Sequence, residues 1–524
     1  MIRKEQTQRV SAAFQEFLTT PLEIRLQRHQ QVSPEVAALD LFHSVANTVP
    51  AYQAFLEEHS IEPVSIQTFE DFQKLPLINK QNYHSRHPIA DLCRNGKLED
   101  CDMIAVSSGS TGSPTFWPRF LSDELQMTTR FEQIFYDSFA AQDQSTLAVI
   151  CFSLGTWVGG IYTINCCRYL ASKGYPITVI TPGSNKEEIL RVVQKLGNAF
   201  EQVVLLGYPP FLKDVIDTGI ALGLEWQQYR IKLVMAGEVF SEEWRSLVGA
   251  RVGSNHPCHD SASLYGTADA GVLGNETPLS ICIRRFLAEH PEAARTLFGE
   301  SRLPTLVQYD PLSRFFEVQD GTLLFSGDNG IPLVRYHISD NGGLISYQEM
   351  LKFLAKWNFD PVAELQRLGI NFRETRQQAT GNRQQGSEAL MGGIHPLPFV
   401  YVFGRSDFTV SYFGANIYPE NVTVGLEQPE IREWVTGKFV LQVKEDVEQN
   451  RFLSVVVELA PTVAGDEPKR EAIASSILSQ LLRLNSEFAN YVPAEYQLPQ
   501  VELAPTGDPE YFPLGVKHRY TRKG

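Results

Sequence analysis

The 524-residue sequence is poor in cysteine and in positive charge. Its seven cysteines include no C-x-x-C pair, so reduced thiols in a cytosolic protein are the simplest interpretation. Lysine and arginine number 46 against 61 aspartates and glutamates, which gives a formal net charge of -15. This balance argues against nonspecific nucleic-acid binding and against docking on anionic membranes.

The sequence also lacks a clear targeting or membrane signal. The first ten residues, MIRKEQTQRV, do not contain the apolar core of a signal peptide. One uncharged stretch, 146–167, is long enough to span a bilayer, but Gly155, Gly159 and Gly160 interrupt it. We interpret it as a buried strand, a glycine turn and a buried helix, and we expect a cytoplasmic protein with no membrane partner.

Between residues 104 and 340, β-rich apolar runs alternate with helical segments. This alternation predicts an α/β fold with mainly parallel sheets. The segment 345–396 breaks the pattern with two short helical stretches and a loop rich in Gln, Arg and Gly. We interpret that segment as an insertion that serves as a lid or a docking site.

The character of the sequence changes again after Gly404. Two apolar runs, 439–443 and 452–459, flank a polar turn, and 469–491 has apolar residues at helical spacing. We therefore predict a large N-terminal domain over 1–403 and a small, mobile α+β domain over 404–524, joined by a hinge.

A loop rich in hydroxyl groups follows the first of the β-rich runs. The sequence SSGSTGSP (107–114) has five hydroxyl side chains and two glycines in eight residues. A phosphate needs such donors on a backbone that it can approach closely. The loop has no lysine and does not match G-x-x-x-x-G-K-[ST], so it is not a P-loop. Taken alone, it is either a phosphate loop or a flexible turn.

Two later stretches contain further candidate polar groups. In GIPLVRYHISDNGG (330–343), Asp340 could accept hydrogen bonds from the vicinal hydroxyls of a ribose, or it could cap a turn. Arg405 and Asp407 stand where the composition changes between the two predicted domains. Asp340, Arg405 and Asp407 are therefore candidate residues of a site between the two predicted domains.

A zinc site is disfavoured by residue spacing. The candidate ligands are His256, Cys258, His259 and Cys282. Their spacing matches no standard finger, and the gap from 259 to 282 is long. We predict core or surface roles for these four side chains.

Taken in order, the polar stretches resemble motifs of the adenylate-forming superfamily, the acyl-CoA synthetases and their relatives. SSGSTGSPT resembles its phosphate loop, SLYGTADAG (263–271) its Y-G-x-T/S-E motif, and RYHISD (335–340) its R-Y-x-T-G-D motif. GRSDFTVSYFGANIYPENV (404–422) resembles its hinge segment. Residues 49–83 and AGEVFSEEWR (236–245) are similar to the phenylacetate–CoA ligases within that superfamily.

The resemblance implies an ATP-dependent, AMP-forming ligase that acts on a carboxylic acid. The acid attacks the α-phosphate of ATP to give an acyl-adenylate and pyrophosphate, and a thiol, usually that of coenzyme A, then takes the acyl group. ATP, AMP, Mg²⁺ and coenzyme A are the implied cofactors. The aromatic-rich stretches 155–162 and 205–212 would line a pocket for an aryl or other apolar acid, or they belong to a plain core.

The family roles map onto named residues of this chain. The phosphate loop would comprise Ser107, Ser108, Gly109, Ser110, Thr111 and Gly112. Further contacts to the nucleotide would come from Gly237, Glu238, Tyr265, Gly266 and Thr267. Tyr265 would stack on adenine, unless it is a core tyrosine, and Asp340 would hold the ribose with help from Arg405. Asp269 takes the position of the Mg²⁺-linked glutamate, and Asp407 that of the hinge residue.

The family's catalytic lysine corresponds to Lys517 in PLGVKHRY (513–520), with Lys523 as the alternative. Its ammonium would bridge the substrate carboxylate and the α-phosphate, where charge builds up during the reaction. Val516 separates Gly515 from Lys517, which departs from the family's spacing. A basic cluster at this place can also be a solvated tail.

Three substitutions keep rival functions open. Ser113 stands where the family has lysine, Ala268 where it has threonine or serine, and Asp269 is one methylene shorter than glutamate. One rival is an adenylating enzyme that hands the acyl group to a carrier protein or another acceptor. The other is a non-catalytic nucleotide-binding homologue. For either, we expect no nucleic-acid partner, and a homodimer is possible.

Overall fold

The computed structural model describes residues 2–106, 115–155, 158–254, 256–300, 303–368, 393–405, 410–413, 415–445, 451–485, 488–489, 492–513, 518 and 520–521. The helices are α1 (Ile2–Thr19), α2 (Leu22–Gln30), α3 (Pro34–Thr48), α4 (Pro50–Glu58), α5 (Phe69–Phe72), α6 (Leu121–Gln133), α7 (Val158–Ser172), α8 (Lys186–Leu196), α9 (Pro209–Ala221), α10 (Glu242–Val252), α11 (Pro278–Glu289), α12 (Pro291–Phe298), α13 (Tyr347–Lys356), α14 (Pro361–Arg367), α15 (Pro419–Leu426) and α16 (Glu467–Leu484). Together with the strands they confirm the predicted α/β class.

The strands are β1 (Met103–Val106), β2 (Phe116–Arg119), β3 (Thr146–Ile150), β4 (Ile177–Ile180), β5 (Gln202–Gly207), β6 (Ile231–Ala236), β7 (Ser261–Thr267), β8 (Gly271–Asn275), β9 (Thr305–Gln308), β10 (Phe315–Gln319), β11 (Thr322–Gly327), β12 (Leu333–Ile345), β13 (Phe399–Arg405), β14 (Val410–Tyr412), β15 (Ala415–Ile417), β16 (Val435–Glu445), β17 (Arg451–Leu459) and β18 (Gln500–Ala504). Eleven of them form one sheet, in the order β10-β11-β12-β13-β9-β8-β7-β6-β5-β3-β4.

This sheet is mixed, not mainly parallel as expected. Strands β3, β4, β5, β6 and β7 pair with one another in parallel. The β7–β8 pair and all pairs among β8, β9, β13, β12, β11 and β10 are antiparallel. The connections explain the difference, because helices link the parallel strands and a tight turn joins β10 to β11. Asp320 and Gly321 form that turn, and both have positive φ, as short hairpins require.

The parallel half of the sheet is covered by helices on both faces. Leu147, Val203 and Leu233 pack on one face in the same core as residues of α8, α9 and α10. Their neighbours in the sequence point the other way and pack against α6 and α7. Near-continuous apolar strands are typical of parallel sheets buried on both faces.

The inserted segment joins two antiparallel neighbours, β12 and β13. Helix α13 begins with a capping box formed by Ser346 and Glu349, and Asp360 caps the start of α14. Residues 369–392 of this segment lie outside the described residues, and they include the predicted loop 375–393 except Gly393.

The three-stranded sheet of β16, β17 and β18 and the helices α15 and α16 share an apolar core of their own, and we call this part of the chain the C-terminal lobe. The apolar runs at 439–443 and 452–459 form parts of β16 and β17. Helix α16 ends at Leu484 and not near 491, because Asn485 adopts an extended conformation. The expected domain boundary at 404 falls within β13, and the division stays a prediction.

The lobe contacts the body of the protein along α9, α10 and the loop between β6 and α10. Lys213 donates to the backbone oxygen of Val435 at 3.2 Å, and Arg251 pairs with Glu433 at 2.7 Å. Ser241 donates to the buried carboxyl of Glu427. The loop after β6 is therefore part of the interface with the lobe.

Candidate functional site

The strands bring together two residues that the sequence separates by 75 positions. Tyr265 on β7 donates its hydroxyl hydrogen bond to Oδ2 of Asp340 on β12 at 2.6 Å. Asp340 is 5% exposed, and its backbone partner across the ladder is Arg405 on β13. The Tyr265 ring lies nearly parallel to Phe316, with 6.4 Å between ring centroids. Three sequence-predicted nucleotide contacts thus meet at one place in the fold.

A second buried carboxylate, Asp269, lies in the turn between β7 and β8. Its Oδ1 is 3.0 Å from the ammonium of Lys80, and its Oδ2 accepts a hydrogen bond from Tyr336 at 2.6 Å. The Asp269 side chain is 3% exposed, whereas that of Lys80 is 25% exposed. The ion pair therefore lies at the mouth of the site, with its cation nearer to solvent.

Sequence reasoning did not single out Lys80, and a local turn explains its position. The side chain of Asn79 accepts from the amides of Gln81 and Asn82, each at 2.8 Å. Ile78 adds a short parallel bridge to Tyr336 on β12. The turn is thereby fixed against the sheet with Lys80 at its tip. The asparagine spacing N-x-x-N was the available signal.

Strand β2, which follows the predicted phosphate loop, contributes two large side chains. The ammonium of Lys80 lies 5.8 Å from the ring centroid of Trp117. Arg119 donates to the backbone oxygen of Ala268, and its guanidinium lies over the Tyr162 ring at 5.5 Å. Burial lowers the pKa of His84, whose ring contacts Trp117, so His84 is neutral near pH 7. Two cations, Lys80 and Arg119, therefore contact the turn that contains Asp269.

In the motif SLYGTADAG, local contacts explain the residue type at two positions, Gly266 and Thr267. A Cβ at Gly266 would lie 2.6 Å from the backbone oxygen of Gly271, so the close pairing of β7 and β8 requires glycine. Thr267 accepts a hydrogen bond from the amide of Ala270 at 3.1 Å. Its hydroxyl therefore caps the turn that presents Asp269.

Gly237 and Glu238 lie directly after β6. Gly237 has a φ of +87°, which favours glycine. Ala236 pairs with Leu264, the residue before Tyr265, so the loop that contains Glu238 begins beside the strand that contains Tyr265. Its carboxylate accepts a hydrogen bond from Tyr520 of the C-terminal lobe at 2.5 Å.

Apolar side chains pack at the end of β1 and, separately, after β3 and β5. Tyr162 packs with Ala105 at the end of β1 and with Met127 of α6. Phe152 and Tyr208 make an edge contact with 5.0 Å between ring centroids. Tyr162 and Tyr208 come from the two stretches expected to line an acyl pocket, and Phe152 and Tyr208 follow within two residues of the carboxyl ends of β3 and β5, where α/β sheets place ligands.

Several predicted site residues cannot be placed. The phosphate loop 107–112, the hinge residue Asp407, and the lysines Lys517 and Lys523 lie outside the described residues. Arg405 is described for its backbone pairing with Asp340. The flanking strands β1 and β2 are described, and they pair with each other through Val106 and Phe116 on either side of the loop.

Metal-ligating side chains are dispersed in the described part of the chain, which contains no group of three His, Cys, Asp or Glu that could hold an ion. Cys258 and Cys282 are buried in one apolar cluster. Asp269 is a single buried carboxylate whose two oxygens contact Lys80 and Tyr336, and its Mg²⁺ role stays a prediction.

Across the residues that the structure covers, no helix has the length and apolar character needed to cross a membrane. The uncharged stretch 146–167 instead contains β3 and the first part of α7, as expected.

No protein-family model matches the chain. The chain is 20% identical over 301 residues to the phenylacetate–coenzyme A ligase of Thermus thermophilus, an alignment that covers 56% of this chain and 61% of that protein. The chain thus matches about three-fifths of the length of this curated relative.

Solved structures of 2-hydroxyisobutyryl-CoA ligase resemble the whole chain. In the postadenylation state with R3-HIB-AMP, that enzyme matches with a TM-score of 0.64 and 14% identity, over 94% of this chain and 89% of that one. In the thioesterification state with 2-HIB-AMP and CoA, it matches with a TM-score of 0.50 and 14% identity, over 97% and 91%. The chain therefore has the fold of the adenylate-forming acyl-CoA ligases and is similar in sequence to a phenylacetate–CoA ligase.

Proposed function

We propose that the protein is an ATP-dependent, AMP-forming ligase that activates an aryl or other apolar carboxylic acid as its adenylate and transfers the acyl group to coenzyme A. The observation that carries this proposal is the hydrogen bond from Tyr265 to Asp340, with Arg405 opposite Asp340. An aromatic ring beside a buried carboxylate offers the two groups that adenosine needs. These are a stacking face for the base and an acceptor for the ribose hydroxyls.

The phosphate end of the nucleotide would lie towards the loop 107–112. Lys80 lies beside Trp117, which pairs with Ala105 one residue before the loop-proximal end of β1, whereas Arg119 lies at the other end of β2. Lys80 supplies a positive charge in a region where the loop itself has Ser113 in place of lysine. Asp269 would hold Mg²⁺, whose chemistry is to neutralise phosphate oxygens. Fixed cations of this kind stabilise the charge that develops during phosphoryl transfer.

Lys517 is proposed to bridge the substrate carboxylate and the α-phosphate. Tyr520 follows it by three residues and donates to Glu238, in the loop after β6, the strand that pairs with the one containing Tyr265. Three residues span at most about 11 Å, so Lys517 is within reach of this region. The apolar residues Tyr162, Phe152 and Tyr208 support a site for an apolar acyl group.

The second step would use a different arrangement of the C-terminal lobe. The TM-score to 2-hydroxyisobutyryl-CoA ligase is higher for its postadenylation state than for its thioesterification state. We propose that the lobe, here in an arrangement suited to adenylation, turns about Asp407 to admit coenzyme A. A cytoplasmic location and a homodimer stay predictions from the sequence.

The test is ATP–pyrophosphate exchange with a panel of acids that begins with phenylacetate and 2-hydroxyisobutyrate. We expect exchange with at least one apolar acid, its loss in Lys517→Ala, and unchanged exchange in Lys523→Ala. Thioester formation on adding coenzyme A would complete the assignment. Exchange without a thioester would favour transfer to a carrier protein, and nucleotide binding without exchange on any acid would favour a non-catalytic homologue.

A further inference from the structure

Two residues that follow Lys517 in the sequence, His518 and Tyr520, are held to the C-terminal lobe. His518 bonds through Nε2 to the backbone oxygen of Phe439 at 2.7 Å, and the amide of Leu441 donates to the backbone oxygen of Tyr520 at 2.7 Å. The Tyr520 ring also packs on Phe439, with 4.9 Å between ring centroids. His518 and Tyr520 thus lie along β16, and the position of the lobe determines the position of these two residues.

The Tyr520 side chain reaches past β16 to the body of the protein. Its hydroxyl donates to Oε2 of Glu238, which lies two residues after β6. Burial, and then the Glu238 charge, raise the pKa of Tyr520 well above its usual value, so the hydroxyl keeps its proton and remains a donor. This contact joins the C-terminal lobe to the loop after β6, the strand that pairs with the one containing Tyr265.

A second hydrogen bond from a hydroxyl to a carboxyl group lies three residues after Glu238 in the same loop. Ser241 donates to the carboxyl of Glu427, at the end of α15. The loop from Gly237 to Ser241 therefore presents one acceptor and one donor to the C-terminal lobe. The ion pair of Arg251 with the 59% exposed Glu433 lies at the rim of the same interface.

We propose that the loop 237–241 latches the C-terminal lobe in the adenylation arrangement, and that Tyr520 is a positioning residue for Lys517. The proposal rests on the proposed function for its effect on catalysis. The latch acts in the first step only, because the lobe must leave this arrangement before the acyl group passes to coenzyme A. A hydrogen bond to a charged group stabilises such a contact enough to change the population of the docked lobe about tenfold or more.

Tyr520→Phe tests the latch, because it removes the hydroxyl and keeps the ring on Phe439. We expect the kcat of ATP–pyrophosphate exchange, with phenylacetate or another active acid, to fall about tenfold or more, with the KM for ATP unchanged. Thioester formation from supplied acyl-adenylate and coenzyme A should stay at the wild-type rate or rise. Glu433→Gln is the matched control, because an exposed ion pair at the same interface contributes little. An equal loss in both half-reactions would overturn the proposal.

A distance measurement separates failure of the latch from failure of the proposed function. Fluorophores on cysteines introduced at the exposed positions Arg168 and Glu471, in a Cys101→Ser background, report the separation of the lobe from the body. We expect a longer or broader distance distribution in Tyr520→Phe than in the wild type and in Glu433→Gln. Identical distributions in all three proteins would overturn the latch, whether or not any acid supports exchange.

Discussion

The ammonium of Lys80 lies 3.0 Å from Oδ1 of Asp269. Asp269 is the residue that the sequence assigned to Mg²⁺, and Lys80 is a residue that it did not select. The pair joins a turn of the N-terminal region to the motif between β7 and β8. A cation so close to a buried carboxylate and to the ends of β1 and β2 is suited to hold phosphate oxygens as well.

Lys80→Met should reduce ATP–pyrophosphate exchange by about 100-fold, because removal of one fixed donor in such a site has an effect of this order. Lys74→Met, which alters a 73% exposed lysine on the same segment, should leave exchange unchanged. Circular dichroism would check that both variants fold. Full exchange activity in folded Lys80→Met would show that Lys80 serves only the ion pair with Asp269.

Asp340→Asn should weaken AMP binding by about 10- to 100-fold in calorimetry, because a neutral amide is a poorer acceptor for two ribose hydroxyls than a carboxylate. The wild type should also prefer AMP to 2′-deoxy-AMP, and the variant should lose most of that preference. If the variant and the wild type discriminate equally between the two nucleotides, Asp340 does not contact the ribose.

Tyr265→Phe should have a smaller effect on AMP affinity, below about tenfold, because it keeps the ring and removes only the hydroxyl that donates to Asp340. Tyr265→Ala should weaken binding further by the loss of stacking. Calorimetry on both variants separates the two contributions. Equal affinities for Phe and Ala at this position would argue against a base stacked on Tyr265.

The site illustrates which features a single sequence can predict. The motifs containing Tyr265, Asp340 and Arg405 were identified because each is a local pattern, and the cross-strand pairing of Asp340 with Arg405 follows from two adjacent strands. The contact of Tyr265 with Asp340 depends on packing across the sheet, which local periodicity does not encode. Lys80 was missed because the N-x-x-N spacing predicts only a turn, whereas the position of that turn against β12 depends on tertiary packing.

Prediction of the fold from the sequence was limited in the same way, by contacts between distant segments. Hydrophobic periodicity identified β16, β17 and the start of α16, but it extended α16 past Leu484 because apolar spacing continues to Phe488. The end of that helix depends on Asn485, which donates to Asn421 and accepts from the amide of Phe488. Likewise, the mixed sheet arises from strand order, which depends on tertiary contacts between distant segments.

Because of the titration of Glu427, the free energy of unfolding should fall as pH rises. Burial raises its pKa to about 8, although Ser241 and Arg284 oppose this rise and Glu243 adds to it. An exposed glutamate titrates near about 4.3, so between about pH 4.3 and 8 the folded protein binds more protons than the unfolded chain. The stabilising contribution of Glu427 is therefore complete below pH 4 and is lost as pH rises to about 8.

Glu427→Gln mimics the neutral carboxyl and should remove this dependence. Relative to the variant, the wild type should lose up to about 1.4 kcal/mol of unfolding free energy per pH unit between pH 5 and 8. Urea denaturation at several pH values measures the difference. A difference that stays constant with pH would show that Glu427 is ionised at the interface.

Gly425 tests the packing of the C-terminal lobe. A Cβ at this position would lie 2.7 Å from Cα of Ile477, so α15 and α16 would have to separate. Alanine favours helix by about 1 kcal/mol, but overpacking against backbone destabilises by about 1–3 kcal/mol. We therefore expect Gly425→Ala to lower the free energy of unfolding, whereas Gly249→Ala in α10, whose Cβ would lie 3.5 Å from Ser254, should raise it slightly. Urea denaturation compares the two, and equal stabilisation by both alanines would mean that α15 and α16 are not in close contact at Gly425.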